Sequence, residues 1–325
     1  MNIAATLCLA TCLSAAAANP TAPISVLWKN PQSRELYYGS GGSAHQPRAP
    51  YTFVKEMDGA SSPKFIVKDA AGKEWRVKLG PEAKAETAAT RLIWAAGYYT
   101  DDDYMVKNFR IKGLPKELTR GQNFVHNGTV EYGRFERSYA NGKYLGSWDW
   151  KQNPFTGTRE LNGLKIMMAL VNNWDLKNAN TTIYELRDPA AGVKRHVYLI
   201  GDLGATFGRP SYAIPNAKSD PKAYRKSEMV AKVEGKTVDF NTPSRPPLVH
   251  PMAVPHMFFT MFRHGEKELT RDIPTRDARW MGGILARLSE TQIRSAFRAA
   301  GYNAEEVSIL TREVRERIAV LRNLR

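Results

Sequence analysis

The stretch that decides the fold is Asn173-Trp174-Asp175-Leu176-Lys177-Asn178-Ala179-Asn180, together with Tyr198-Leu199-Ile200-Gly201-Asp202-Leu203-Gly204-Ala205-Thr206-Phe207-Gly208 further on. The first segment follows an apolar run at helical spacing, Leu161, Leu164, Met167, Met168 and Val171. It sets a carboxylate, then a lysine two positions on and an asparagine five positions on. Asp175 is a group that accepts or orients a hydroxyl proton, and Asn180 offers a neutral oxygen to a metal. In the second segment an apolar strand delivers Asp202 into a glycine-bearing turn, a placement suited to Mg²⁺. The two flank one expected hairpin, with strands at 182–186 and 197–200 and a turn at 188–192. Taken singly, the first segment also reads as a polar cap turn and the second as an Asx turn.

Working outward, three short β-like segments precede them at 51–55, 64–68 and 75–79, with Asp58-Gly59 and Ala71-Gly72 as turns, which predicts an antiparallel meander. In the third, period-2 alternation puts Trp75, Val77 and Leu79 on one face and Arg76 and Lys78 on the other. After Gly80-Pro81 the period becomes helical through Ala85, Ala88, Ala89, Leu92, Ile93 and Ala96, and Gly97 stops it. Glu86 falls at the edge of that helix's apolar face, within reach of Lys78. Residues 24–43 read as irregular, and 99–157, with aromatic clusters at 132–139 and 144–150, give no element assignment. The proline-rich stretch 210–255 reads as a long loop or loosely structured insertion. Beyond it, Ser289-x-x-Gln292 and Asn303-x-x-Glu306 are capping-box signals, and Val307, Leu310, Val314, Ile318 and Leu321 form a core-facing stripe.

Phosphoryl transfer needs cations at the phosphates, oxygen ligands for Mg²⁺ and a group that orients the acceptor hydroxyl. Lys78, Glu86, the 175–180 segment and Asp202 supply those parts in order. Asp175-Leu176-Lys177-x-x-Asn180 resembles the catalytic loop of the protein-kinase superfamily, and Asp202-Leu203-Gly204 resembles its metal-binding D-F-G motif. Upstream, Gly59-Ala60-Ser61-Ser62-Pro63-Lys64, Trp75-x-Val77-Lys78, Glu86-Thr87-Ala88-Ala89-x-Arg91-Leu92 and Arg134-Phe135-Glu136-Arg137 look like the small lobe and hinge of the atypical HipA-like branch. The short spacing from Lys78 to Glu86 is similar to that of HipA-like and phosphoinositide-kinase-like enzymes. Three features depart from ordinary protein kinases: Asn173-Trp174 precedes Asp175, no G-x-G-x-x-G precedes Lys78, and no A-P-E follows Asp202.

The resemblance implies an α+β, bilobal kinase-like fold, with a small antiparallel β lobe plus helix at 51–137 and a larger, mainly helical lobe at 138–325 carrying the 210–255 insertion. It implies ATP and Mg²⁺, with Lys78 on the α- and β-phosphates, Glu86 as its partner, Asp175 as base and Lys177 at the transferring phosphoryl group. Asn180 and Asp202 would hold Mg²⁺, and Lys64 would make a further phosphate contact. The acceptor is a hydroxyl on protein, glycan or lipid. A non-catalytic ligand-binding protein on the same fold and transfer of AMP are the alternatives.

Composition sets the surroundings. The 325 residues carry 47 Lys and Arg against 32 Asp and Glu, a net +15, which favours an anionic substrate or surface. The positive charges are spread rather than gathered into an arm or recognition helix, which argues against nucleic acid. Cys8 and Cys12 both fall in an uncharged, apolar leader, 1–18, which reads as a cleaved secretory signal, with an extension at 19–50 behind it. The expected location is therefore secreted or periplasmic. No later segment is apolar enough to span a membrane. The scattered histidines lack zinc spacing. Asn127-Gly128-Thr129 and Asn180-Thr181-Thr182 match glycosylation sequons.

Overall fold

The computed structural model describes residues 23–58, 62–137, 142–187, 193–209, 218–242 and 268–325. The leader with both cysteines, the start of the Gly59 loop, the 188–192 turn, and His250 and His256 lie outside them.

The segment read as irregular contains strand β1 (Ile24–Val26), which pairs in parallel with residues 195–197. Three residues are too few for an alternation to show in sequence. The meander is present as β2 (Tyr51–Glu56), β3 (Lys64–Lys68) and β4 (Glu74–Lys78), paired antiparallel. Helix α1 (Pro81–Ala95) follows where the period changes. The unassigned stretch holds β5 (Asp102–Lys112), β6 (Val125–His126) and β7 (Thr129–Arg137). β5 pairs in parallel with β2 and antiparallel with β7, and β7 returns to pair with β4. Strands β2, β3, β4, β7 and β5 therefore close a ring.

Phe65, Val67, Trp75, Val77, Phe109 and Phe135 fill the ring as one hydrophobic cluster. Because side chains alternate along a strand, packing Trp75 and Val77 inward sends Arg76 and Lys78 outward. Helix α1 lies against that outward face and is buried on nearly every side. Its Ala85, Ala88 and Ala89 join a second, larger cluster, while Glu86 and Arg91 pair with residues of the ring. A helix enclosed on both sides is not strongly amphipathic and is closest packed with small residues.

The second cluster gathers α2 (Arg159–Leu170) and part of β10 (Lys194–Ile200), which lies in a sheet ordered β1-β10-β9-β8 with β9 (Thr181–Arg187) and the exposed β8 (Lys143–Gly146). The proline-rich stretch is not a loop throughout. Its described part forms α3 (Pro221–Arg225) and a hairpin of β11 (Val230–Glu234) and β12 (Thr237–Phe240), extended by β13 (Ile273–Pro274). Its loop-like composition is partly structural punctuation: Asp220 caps α3, Pro221 takes its first position, and Gly235 turns the hairpin at φ 55°. Tyr224, fully buried, donates to the Leu170 carbonyl at 2.5 Å and ties this insertion to α2.

Three helices complete the cluster: α4 (Thr275–Leu285), α5 (Glu290–Ala299) and α6 (Ala304–Asn323). Both capping boxes are formed, and the stripe from Val307 to Leu321 is buried. Among the described residues no helix is long and apolar enough to cross a membrane.

Candidate active site

Lys78 ends β4, and the turn at Gly80-Pro81 brings the first two turns of α1 back over it. Its Nζ lies 2.5 Å from Glu86 Oε2, 2.7 Å from Asp202 Oδ1 and 3.7 Å from Glu82 Oε2. Glu86 is 1% exposed, because α1 is covered on both sides. It also accepts the Leu203 amide at 3.2 Å and faces Arg134 Nη1 at 3.5 Å. Burial works against the Lys78 ammonium, but Glu86 and Asp202 outweigh it and raise its pKa above the ordinary lysine value. Lys64 stands directly across the β3–β4 pair from Lys78. Like charges placed opposite each other on neighbouring strands are destabilising unless an anion lies between or above them. Burial and the nearby Lys78 accordingly lower the Lys64 pKa.

Behind Lys78 the charges are sealed. Arg134 on β7 is the other cross-strand neighbour of Lys78 and is 3% exposed. Its Nε donates to Asp103 Oδ2 at 2.7 Å, and its Nη1 pairs with Glu136. Asp103 also pairs with Arg91 of α1, and Glu136 accepts from Arg76 at 2.8 Å. Burial would raise the Glu136 carboxyl, but Arg134 and Arg76 hold it at about 2. This network fixes α1, β4, β5 and β7 to one another behind Lys78.

The 172–180 segment leaves the C-terminus of α2 with Asn172 in the left-handed region, φ 57°. Asn173 Oδ1 accepts the Asp175 amide at 2.9 Å, and Asn180 Nδ2 donates to the Asp175 carbonyl at 2.7 Å and to Oδ2 at 3.3 Å. Lys177 Nζ lies 2.7 Å from Asp175 Oδ1 and is 44% exposed. Asp202 leaves β10 with φ 45°, a left-handed conformation that Asp tolerates better than most residues and that clusters at functional sites. Burial would raise its carboxyl, but Lys78 and Lys64 bring it down to about 2.

Two backbone bonds join the segments. The Gly201 amide donates to the Asn180 carbonyl at 2.8 Å, and the Trp174 amide to the Ala205 carbonyl at 3.3 Å. The structure thus brings Lys78, Glu86 and Asp202 into direct contact, and Asp175, Lys177 and Asn180 into a second group linked to the first through Gly201. Lys64 joins by strand register. Among the described residues no trio of His, Cys, Asp or Glu is arranged to hold a metal. Asp202 and Asn180 are a sparse pair of hard oxygen donors, which fits Mg²⁺, an ion that keeps waters and completes its shell with substrate phosphates.

Sequence reasoning missed Glu82, Lys218, Asp103 and the burial of Arg134. Lys218 pairs with Glu82 across 136 positions, a contact with no local signal. Arg134 had one, since it recurs with Glu136 at strand period, but the β4–β7 pairing was needed to place it.

No protein-family model matches the chain, and no curated protein matches it significantly. Among solved structures it is similar to the crystal structure of a Helicobacter pylori proinflammatory kinase, CtkA, at 9% identity over 83% of this chain and 94% of that one, with a TM-score of 0.47.

Proposed function

We propose that the chain is an ATP-dependent phosphotransferase acting on a hydroxyl. The observation that carries this reading is the single ammonium of Lys78 held at once by Glu86 and Asp202, with Asp175 and Asn180 one backbone bond away. A buried cation pinned by one carboxylate and facing a second, half-exposed one is the arrangement that positions a nucleotide's phosphates beside a metal-holding Asp. Lys78 engages the α- and β-phosphates, Glu86 orients it, and Lys64 contributes a further phosphate contact. Asp202 and Asn180 would hold Mg²⁺, which would supply positive charge against the phosphates. Asp175 takes the acceptor's proton as that oxygen attacks the γ-phosphorus. The bond from γ-phosphorus to the β-bridging oxygen breaks, ADP leaves, and Lys177 offsets charge on the moving phosphoryl group.

In this reading residues 51–137 and 138–325 are the two lobes of a kinase-like fold with the nucleotide between them, and residues 1–18 direct export. The net +15 supports an anionic acceptor. The test is transfer from ATP labelled in the γ-phosphate, set beside ATP labelled in the α-phosphate. Transfer of γ-label that is lost in Asp202→Ala and Asp175→Ala, with both variants folded, is the expected result. Transfer of α-label instead would replace phosphate with AMP as the transferred group. Nucleotide binding without transfer of either label would leave a non-catalytic binding protein.

A further inference from the structure

Glu82, the third carboxylate beside Lys78, has no part in the transfer step above. It stands in the first turn of α1, 6% exposed, and one side chain pairs both with Lys78, four residues before it, and with Lys218 of the insertion. Its Oε2 lies 3.7 Å from Lys78 Nζ, and its Oε1 pairs with Lys218 Nζ from the insertion. Ser62, in the loop before β3, also donates its hydroxyl to this carboxylate. Burial would raise the Glu82 carboxyl, but Lys78, Lys218 and Ser62 together lower it. Gly204, two residues past Asp202, closes over the group: a Cβ there would come 3.0 Å from Glu82 Cβ and 3.1 Å from Oε2.

Two ammonium groups and a hydroxyl thus converge on one carboxylate at the mouth of the Lys78 site. A phosphate offers oxygen acceptors of the same kind with more negative charge, and charge-assisted bonds to it are correspondingly stronger. Lys64, opposite Lys78, adds a further cation on the same side. Lys218 is 22% exposed at its side chain, so it has room to turn from one acceptor to another.

Building on the phosphotransfer reading, we propose that Lys218 is a nucleotide-binding residue, parked on Glu82 until the nucleotide's polyphosphate displaces that carboxylate and takes the ammonium. Glu82 is then a built-in competitor of the phosphates. The two partners of one ion pair consequently have opposite effects on affinity, although breaking the pair is the same structural event from either side.

The test is calorimetric titration of Mg-ATP into the wild-type chain and into Lys218→Ala, Lys218→Arg and Glu82→Gln, with melting curves for each. Lys218→Ala should weaken binding about tenfold, the scale of one charge-assisted hydrogen bond. Lys218→Arg should stay within about threefold of wild type, since the charge is kept. Glu82→Gln should tighten binding by about three- to tenfold, the effect of removing one like charge close to the phosphates. A latch that only holds the fold together predicts weaker binding in both Lys218→Ala and Glu82→Gln. That outcome, or no change in either, would overturn the role of Lys218 while leaving the phosphotransfer reading intact. Absence of Mg-ATP binding by the wild-type chain would overturn both.

Discussion

Arg134 and Lys177 are both cations paired with carboxylates near the same site, yet their surroundings are opposite. Arg134 is 3% exposed at its side chain and shared among Asp103, Glu136 and Glu86. Lys177 is 44% exposed and faces Asp175. A buried guanidinium whose Nε and Nη1 are held by carboxylates is poorly placed to take a ligand, and removing a partner leaves uncompensated charge in a poorly solvated place. An exposed ammonium over a carboxylate gains little from that pair and exchanges it readily. The contrast separates the charges that build the frame behind Lys78 from those left available for chemistry. The same division runs through Lys78 itself, which has Glu86 on the sealed side and the half-exposed Asp202 on the open side.

Four substitutions break or sharpen that contrast. Asp175→Asn should lower phosphoryl transfer by about 10²–10⁴, the range of a lost general base, with melting temperature unchanged; steady-state rates beside calorimetric melts check it. Arg134→Met should do the reverse, costing about 3–5 kcal/mol of stability because buried Asp103 and Glu136 are left with one cation each, Arg91 and Arg76, as read by urea unfolding. Glu136→Gln sharpens the picture through pH. The Glu136 carboxyl is held at about 2, below its ordinary 4.5, so its contribution is complete above about pH 4.5 and is lost as pH falls toward 2. The variant should therefore be less stable near neutrality and show a shallower loss of stability between pH 5 and 2 than wild type. The smallest effect is expected at Tyr224→Phe, which removes the hydroxyl's bond to Leu170 and should cost about 1 kcal/mol without changing transfer.

What was legible in the sequence followed from local period. The 51–79 meander, α1, α2 and both capping boxes are features of a few consecutive residues, and they stand where alternation, helical spacing and capping chemistry put them. The polar residues of the candidate site were also visible as local patterns, because Asp175, Lys177 and Asn180 occupy one turn and Asp202 follows one strand. Everything that depends on long-range pairing was not. The ring closes through β4 with β7 and β2 with β5, and neither register is written in either strand alone. Asn127-Gly128 carried a hairpin signal but was read as a glycosylation sequon; it turns β6 into β7 with both residues at positive φ. Pro221 and Gly235 lowered the apparent order of 218–242, a segment in which they open a helix and turn a hairpin.

The most direct test of the central claim is the affinity of the chain for ATP with and without Mg²⁺, measured for wild type and Asp202→Asn. If Lys78, Glu86 and Asp202 form the nucleotide-phosphate site, Mg²⁺ strengthens binding to wild type, and Asp202→Asn removes that dependence while ATP alone still binds through Lys78. Binding that is indifferent to Mg²⁺ in wild type, or equally Mg²⁺-dependent in Asp202→Asn, would contradict it.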